Sequence, residues 1–557
     1  PDDYFIFLEN GKRLYGDDTY ARINVAKIKR IEILNGASSA LYGTNAIGGV
    51  INIITDDVKN AINVSSDTRY ASKGRFTQSV NIDVNTGKFG SYTSYRRQQA
   101  EGWQLNPYEE NSKTHELEET GKVASTGFYA NTVNQKFTFD ATDKLSFYAR
   151  GGYYDNKTRR PYEAYDYNIL HETFNYGIGA QYMINKGNYI TADCYADHFS
   201  SSYCFFKDNK TYNGKAGEEQ VRKRTRNHNL SIKGIFKLGG RHKLSVGTEY
   251  IVDVLKSQTD NIAKEDAYTL ALFAQDEIKL LRNLQALIGV RYIYHENFKN
   301  HATPNVALMY KPGKFNFRAS YAAGFRTPTL SELYATDIAK KNDRLTIGNL
   351  DLKPEKNDYF SLSAEYVHER FSVSVNAFYN NIRDMIDYNT IATGDKAMEQ
   401  YGHKEVRQRD NIAEAKVHGI NVSANAYLGA GFNLSGGYTH LNTQDVELEQ
   451  PIDKSIKNAY NINAQWAHSW KIYRLNINLN GRFNSKRFSK SYGYAPEYQL
   501  WDLNTRHSFN LKSVIIEPGC GMENLFDYMD DRPYNSNYAT LTPGRSFYIS
   551  LSLKFKS

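Results

Sequence analysis

The side chains best suited to contact a ligand lie between two proline-containing segments in the middle of the chain. Pro328 and Pro354 interrupt strand pairing, because proline donates no backbone hydrogen bond, and they leave a polar loop between them. The residues of that loop that could contact a ligand are Tyr334, Lys340, Lys341 and Arg344. Lysine and arginine are the residues that bind anionic groups in proteins. The pattern predicts a loop that binds a negatively charged ligand, and a merely solvated loop is the alternative interpretation.

Groups typical of catalysis or of a metal site are scarce. The cysteines Cys194, Cys204 and Cys520 are odd in number and widely spaced, which argues against a disulfide scaffold and against structural zinc. No cluster of acids and no serine–histidine pair accompanies the polar loops, which argues against a hydrolase. We therefore predict no catalytic residue, no metal site and no cofactor.

The elements that must position the loop appear as a two-residue alternation of apolar and polar side chains. Residues 546–555 read SFYISLSLKF, and residues 473–480 read YRLNINLN. Such alternation places every apolar side chain on one face of a strand. The alternating segments run to roughly ten residues or more, which is the length that a tilted strand needs to cross a bilayer.

The connections between these segments alternate between short turns and long polar loops. The long connections are predicted at about 101–125, 157–170, 207–220, 326–356, 381–408, 442–458 and 527–544. This pattern is typical of an all-β membrane barrel, here with about 22 antiparallel strands, whose lumen is wide enough to need a plug. Histidines within strands, such as His198 and His228, are expected to line that lumen. A soluble propeller or repeated sandwich would need a repeat of about 40–50 residues, and we find none.

The composition agrees with a barrel and excludes other classes. The 557 residues include 44 Tyr and 28 Phe, and the mean hydropathy is −0.63. No apolar stretch of about 18 residues exists, which excludes a helical membrane protein. Aromatic residues at 14% exclude a disordered chain. The net charge of +8, without a clustered basic stripe, gives no support for nucleic-acid binding.

The first 60 residues have a different pattern. Residues 5–8, 31–34 and 48–54 read as short buried strands, and residues 37–43 are expected to form a helical turn. So short a globule buries too little surface to stand alone. We therefore predict a small α+β plug domain over residues 1–60, inside the lumen of a barrel formed by residues 61–557.

Several segments are recognisable. Residues 30–53, which read RIEILNGASSALYGTNAIGGVINI, closely resemble the end of the plug domain of TonB-dependent outer-membrane receptors. Residues 7–13 resemble an upstream plug strand of the same family. Residues 324–334 and 348–355 are similar to the paired segments that flank a long extracellular loop, and residues 523–527 resemble the segment before the final strand. The resemblance thus spans the whole chain.

The resemblance implies a receptor in the bacterial outer membrane, surrounded by lipid, that imports a scarce metal chelate without covalent chemistry. Import would be driven by TonB, through a segment expected upstream of this sequence. The expected ligand is an iron complex, either haem or a ferric siderophore. A cobalamin importer and a passive large-barrel channel are the alternatives, and a surface lipoprotein is a further expected partner.

We also predict roles for individual residues. Arg13 and Tyr15 on the plug are predicted to contact the ligand together with the loop residues named above. Arg30 and Glu355 are predicted to form an ion pair that locks the plug to the barrel. A haem receptor of this family usually offers histidines in the plug and in the loop, yet neither residues 1–60 nor residues 326–355 contain one.

Overall fold

A computed structural model of the chain describes most of its residues. These are residues 5–14, 21–24, 28–35, 48–55, 61–104, 108–111, 114–120, 123, 125–162, 165–339, 343–490, 493–530 and 542–556. The helical turn predicted at residues 37–43 lies outside them. Within the described part of the chain, no helix is long and apolar enough to cross a membrane.

The chain begins with four short strands and continues with a long series of antiparallel ones. The first four are β1 (Phe5–Glu9), β2 (Lys12–Arg13), β3 (Ile28–Asn35) and β4 (Gly49–Thr55). The others are β5 (Ile62–Ala71), β6 (Arg75–Asn85), β7 (Phe89–Ala100), β8 (Tyr108–Glu110), β9 (Leu117–Glu119), β10 (Gly127–Asp140), β11 (Leu145–Arg159), β12 (Tyr167–Asn185), β13 (Asn188–Phe205), β14 (Glu219–Leu238), β15 (His242–Ser257), β16 (Ile262–Leu281), β17 (Leu284–His295), β18 (Lys299–Tyr310), β19 (Phe315–Arg326), β20 (Thr336–Ala339), β21 (Arg344–Ile347), β22 (Glu355–Val367), β23 (Phe371–Thr393), β24 (Glu405–Gly429), β25 (Phe432–Asp445), β26 (Asn458–Trp470), β27 (Tyr473–Asn484), β28 (Arg487–Ser489), β29 (Gly493–Ala495), β30 (Tyr498–Leu511), β31 (Val514–Glu523) and β32 (Ser546–Lys556). Two short helices, α1 (Leu330–Tyr334) and α2 (Gly394–Tyr401), lie in loops.

Within the described residues, 22 of these strands close into an antiparallel barrel. Closure occurs where β32 pairs with β5, with Phe555 opposite Val64. The small pairs β8–β9 and β28–β29 lie outside the barrel sheet, and the β20–β21 hairpin is an insertion between β19 and β22, which pair directly with each other. The predicted fold class, a barrel of about 22 strands with a plug domain, is confirmed.

The apolar side chains of the barrel strands face outward. On β32, Ile549 is 66% exposed, whereas Ser552 of the opposite parity is 7% exposed. A soluble core would show the reverse, so this face is the one that contacts lipid. His228 shares its parity with the exposed Leu230, and its ring lies 5.3 Å from that of His198. These two histidines therefore face outward, which corrects the expectation that they line the lumen.

Short turns close one end of the barrel and long connections extend from the other. The β14–β15 turn uses Gly239 and Gly240, with φ of 55° and 67°, a backbone region that favours glycine. At the opposite end β23 and β24 extend to 23 and 25 residues. The loop predicted at 381–408 is consequently reduced to residues 394–404, because strand pairing continues beyond the apolar band.

The plug residues form a four-stranded sheet in the order β2-β1-β4-β3. An Asn10-Gly11 turn with φ of 51° and 78° joins β1 to β2, as the Asn-Gly preference of such hairpins predicts. The β-branched strand β4 pairs with β1 in parallel and with β3 in antiparallel orientation. Ile6, Leu8 and Val50 form its buried core.

Candidate functional site

The plug is anchored to the barrel by a buried ion pair. Nη1 of Arg22 lies 3.1 Å from each carboxylate oxygen of Asp197 on β13. The two side chains are 6% and 0% exposed. Since both charges are removed from water, the pair holds the plug firmly only while both partners are present.

Further polar residues of the barrel wall face the plug at the same level. Asp197, Asn227 and Asp253 lie side by side on β13, β14 and β15, and the Asn227 amide donates to Asp253. The positive charge of Arg13 on the plug lies close enough to Asp253 to interact electrostatically with its carboxyl group. Arg13, predicted as a ligand contact, therefore lies near Asp253 of the barrel wall, and its contact with a ligand stays a prediction. Tyr15 lies outside the described residues.

Two more contacts fix the segment around Arg22. The guanidinium of Arg96 on β7 donates to the carbonyl oxygen of Ile23. The side-chain amide of Asn24 donates to Oδ1 of Asn81 on β6, at 2.9 Å. Sequence reasoning missed these residues. They could have been recognised in the sequence as charged or amide side chains at inward-facing positions of otherwise regular strands.

The predicted lock between Arg30 and Glu355 is not formed. Nη2 of Arg30 lies 2.7 Å from Oε1 of Glu32, its neighbour on β3, and these side chains are 55% and 39% exposed. Glu355 pairs with Arg326 at the opposite end of the barrel. Arg30 lies at the surface of the plug sheet, whereas Glu355 is buried in the barrel wall. Each residue therefore pairs with a neighbour in its own part of the protein.

Arg326 organises the base of the long loop through two carboxylates. Its Nη1 and Nη2 lie 2.9 and 3.1 Å from the two oxygens of Glu332, a bidentate pair. Nη2 also lies 2.5 Å from Oε1 of Glu355, which in turn accepts from the backbone N–H of Ile386 at 2.8 Å. Arg326 and Glu355 are 2% and 0% exposed. The cluster therefore joins the two ends of the loop to β23.

A capping box attaches α1 to this cluster. Thr329 caps the helix by accepting from the Glu332 N–H at 3.2 Å, and its own N–H donates to Glu332 Oε2 at 2.8 Å. Burial opposes ionisation of Glu332, but the hydrogen bonds and the charge of Arg326 outweigh it and lower the pKa of that carboxyl. Glu332 therefore stays ionised and holds both Arg326 and the helix.

Tyr334 lies in an apolar cluster at the same loop. It packs with Phe298 against the buried side chains of Leu333, Leu352 and Ile386. This position gives Tyr334 a role in packing the loop, and its predicted contact with ligand stays a prediction.

Next to this cluster is a cavity of about 150 Å³ that brings three arginines together. They are Arg344 on β21 and Arg407 and Arg409 on β24, and we call them the cavity arginines. Pairing of β21 with β24 in parallel, with Arg344 opposite Glu405, brings them together. Of the three, Arg344 was predicted. Lys340 and Lys341 lie outside the described residues.

The cavity arginines differ in how well they are paired. Nε of Arg407 lies 2.5 Å from Glu405, and the guanidinium of Arg409 lies 3.7 Å above the ring of Tyr388. Nε of Arg344 is buried, and no acceptor for it is found in the described part of the chain. A buried donor without an acceptor costs about 1–3 kcal/mol, so an anionic ligand atom that accepted from it would remove that cost.

Two carboxylates line the other side of the cavity. Asp260 accepts from the hydroxyl of Ser331 at 3.0 Å, and Asp337 lies nearby on β20. Burial and the charge of Asp260 raise the pKa of Asp337. Protonation of Asp337 would leave the cavity more positive. In the part of the chain that the structure describes, no group of three or more His, Cys, Asp or Glu could hold a metal ion.

Family comparisons agree with this architecture. The family model described as "TonB dependent receptor-like, beta-barrel" matches residues 76–517. The chain belongs to the TonB-dependent receptor family. A second model, the TonB-dependent receptor plug domain, matches residues 2–50. The protein is therefore a transport receptor of the bacterial outer membrane rather than an enzyme, and receptors of this family use TonB.

Solved structures of this receptor family share the fold. A ferric enterobactin receptor (PfeA) variant from Pseudomonas aeruginosa has a TM-score of 0.83 at 16% identity, over 99% of this chain and 91% of that one. The siderophore receptor PirA from Acinetobacter baumannii has 0.80 at 17%, over 100% and 91%. The FrpB iron transporter from Neisseria meningitidis has 0.76 at 14%, over 99% and 92%. At these identities the likeness establishes the fold alone. In such barrels the long loops are extracellular, so the cavity arginines lie at the outer end.

Proposed function

We propose that this receptor imports an anionic iron chelate, such as a ferric catecholate siderophore, and binds it at the cavity arginines. The observation that carries the proposal is the convergence of Arg344, Arg407 and Arg409 on one extracellular cavity, where Nε of Arg344 is buried and has no acceptor among the residues that the structure describes. Planar guanidinium groups suit the oxygen atoms of an anionic chelate. The siderophore and iron receptors with the same fold support the same ligand class.

The alternative functions are supported less well by the residues of the cavity and of the plug. Haem iron is usually held by an axial histidine, cysteine, methionine or tyrosine, and the described residues that line the cavity include Tyr388 but no histidine, cysteine or methionine. Cobalamin would not require three arginines at one cavity. A passive channel would gain nothing from a plug sheet held in its lumen by a buried ion pair.

Transport requires the plug to move, and this movement must break the contacts that Arg22 makes with the barrel wall. The Arg22–Asp197 pair is buried, so displacement of this segment exposes both charges together. We propose that ligand binding at the outer end and force from TonB at the inner end together open this contact. A surface lipoprotein that docks on the exposed loop aromatics, such as Tyr162 at 60% exposure, stays a prediction.

Uptake of radiolabelled iron delivered as ferric enterobactin tests the proposal in cells that lack other receptors. Replacing the three cavity arginines with glutamine should reduce uptake at least about tenfold, because each removes a charge-assisted hydrogen bond. Uptake should also be abolished in cells without TonB. Equal uptake by the variant and the parent would contradict the proposal.

A matched control removes the same charge from the same end of the barrel. Lys210, Lys396 and Lys490 are exposed residues of three other extracellular loops. Their replacement with glutamine should leave uptake unchanged. A similar loss in this control would mean that overall loop charge, and not the cavity, attracts the chelate.

A further inference from the structure

The strand β14 carries different kinds of residue on its two faces. Asn227 is 4% exposed and points inward, toward Asp253 and the plug. Residues of the other parity therefore point outward, and among them Leu230 and Ile232 are 50% and 46% exposed. The outward residues from Leu238 to Leu230 are apolar or glycine. Eight residues of a strand tilted by about 40° span about 21 Å, close to the apolar band of a membrane barrel.

Beyond Leu230 the same outward face becomes basic. The next outward positions are His228, Arg226 and Arg224, all exposed, in the direction of the extracellular loop. They therefore lie just above the apolar band, at the level of the lipid headgroups of the outer leaflet. This stripe is separate from the cavity arginines, which lie on β21 and β24.

Neighbouring strands extend the stripe into a patch. Lys256 on β15 lies directly opposite Arg224, and His198 on β13 lies opposite Arg226. Like charges opposite each other destabilise a strand pair, so the Arg224–Lys256 placement has a cost. We call Arg224, Arg226 and Lys256 the outer cations.

No acid among the described residues forms an ion pair with the outer cations. The outward acid on β16, Asp266, lies 3.4 Å from Lys264 and is engaged there. On the other side, Glu172 of β12 accepts from the hydroxyl of Tyr153 at 2.8 Å. Other outward arginines are neutralised within the wall, as Arg383 is by Asp358. The patch therefore keeps a net positive charge that faces the membrane.

We propose that the outer cations form a binding site for a phosphate-bearing lipid headgroup of the outer leaflet. Their position above a continuous apolar face fits a ligand with acyl chains below and phosphate above. Arginine binds phosphate with two donors at once, and each cation near a membrane surface strengthens binding of anionic lipid about fivefold. The repulsion between Arg224 and Lys256 would be relieved by a phosphate placed between them.

Native mass spectrometry of the purified full chain in detergent, titrated with phosphatidic acid, tests this site. Replacing the outer cations with glutamine should weaken the retained lipid about 100-fold. Diacylglycerol with the same acyl chains should not be retained by either protein. Unchanged retention of phosphatidic acid by the variant, or equal retention of diacylglycerol, would overturn the proposal.

Two further variants keep the test decisive. Replacing Lys88, Lys144 and Arg282, exposed residues of the short turns, removes the same charge at the opposite end and should leave retention unchanged. Replacing Arg224 and Arg226 with lysine keeps the charge and should preserve most of the lipid binding. Retained binding in this variant would show that substitution at these positions does not by itself unfold the protein. If inorganic phosphate displaced the lipid at equal concentration, the patch would be a site for free phosphate, and the lipid assignment would be wrong.

Discussion

Removal of the Arg22 side chain should loosen the plug without disturbing the barrel. Arg22→Ala removes the guanidinium that pairs with the carboxylate of Asp197, whose side chain is 0% exposed. Breaking a buried pair on one side costs about 3–5 kcal/mol. Since about 1.4 kcal/mol is a factor of ten, local opening of the plug should become about 100 to 4,000 times more frequent.

Hydrogen exchange read by mass spectrometry is the appropriate assay, because it reports the plug strands and the barrel strands separately. Peptides that cover β1 and β4 should exchange faster in Arg22→Ala, whereas peptides from β30 to β32 should not change. Arg30→Ala is the matched control, since its pair with Glu32 is 55% and 39% exposed and contributes about 0–1 kcal/mol.

A double-mutant cycle sharpens the result. Removal of both Arg22 and Asp197 should cost less than the sum of the single changes, because no uncompensated charge remains. Equal exchange rates in β1 and β4 for Arg22→Ala and Arg30→Ala would show that the buried pair does not hold the plug.

Three further outcomes are expected at the long loop. Arg326→Gln leaves Glu332 and Glu355 buried without their cation, which should destabilise the loop by about 3–5 kcal/mol and speed its cleavage in limited proteolysis; unchanged cleavage would contradict this role. Because the pKa of Glu332 is lowered, its contribution to the stability of the loop is complete above the ordinary glutamate pKa and should be lost as pH falls through the lowered pKa. Limited proteolysis should therefore cleave the loop faster in acid, and Glu332→Gln should remove this dependence on pH. Because burial and the Asp260 charge raise the pKa of Asp337, chelate binding should strengthen as pH falls through that raised value; Asp337→Asn should bind as the protonated form does and lose this dependence in a titration.

Local pattern predicted much of the architecture. The alternation in segments such as residues 546–555 is a direct consequence of one face meeting lipid, so the barrel follows from the sequence. The plug strands at residues 5–8 and 48–54 were likewise visible as short β-branched runs. The long loop between Pro328 and Pro354 was located, although its α1 helix and the β20–β21 hairpin were not anticipated.

Contacts between distant segments could not be predicted in this way. Alternation places Asp197 on the inner face of its strand, but the plug residue that meets it lies 175 positions earlier and depends on how the plug sits in the barrel. Arg407 and Arg409 were missed because β23 and β24 continue through the predicted loop at 381–408, where β24 pairs with β21. Arg30 and Glu355 were paired because Arg30 was expected to face the barrel wall and Glu355 ends a barrel segment, but Arg30 pairs with Glu32 and Glu355 pairs with Arg326.

We propose above that the cavity arginines bind an anionic iron chelate. Quenching of intrinsic fluorescence of the purified receptor by ferric enterobactin measures that binding directly. We predict saturable quenching that is weakened at least about tenfold when the three cavity arginines are replaced with glutamine, and unaffected by replacing Lys210, Lys396 and Lys490. Saturable quenching of the same strength in both variants, or no quenching of the parent protein, would contradict the claim.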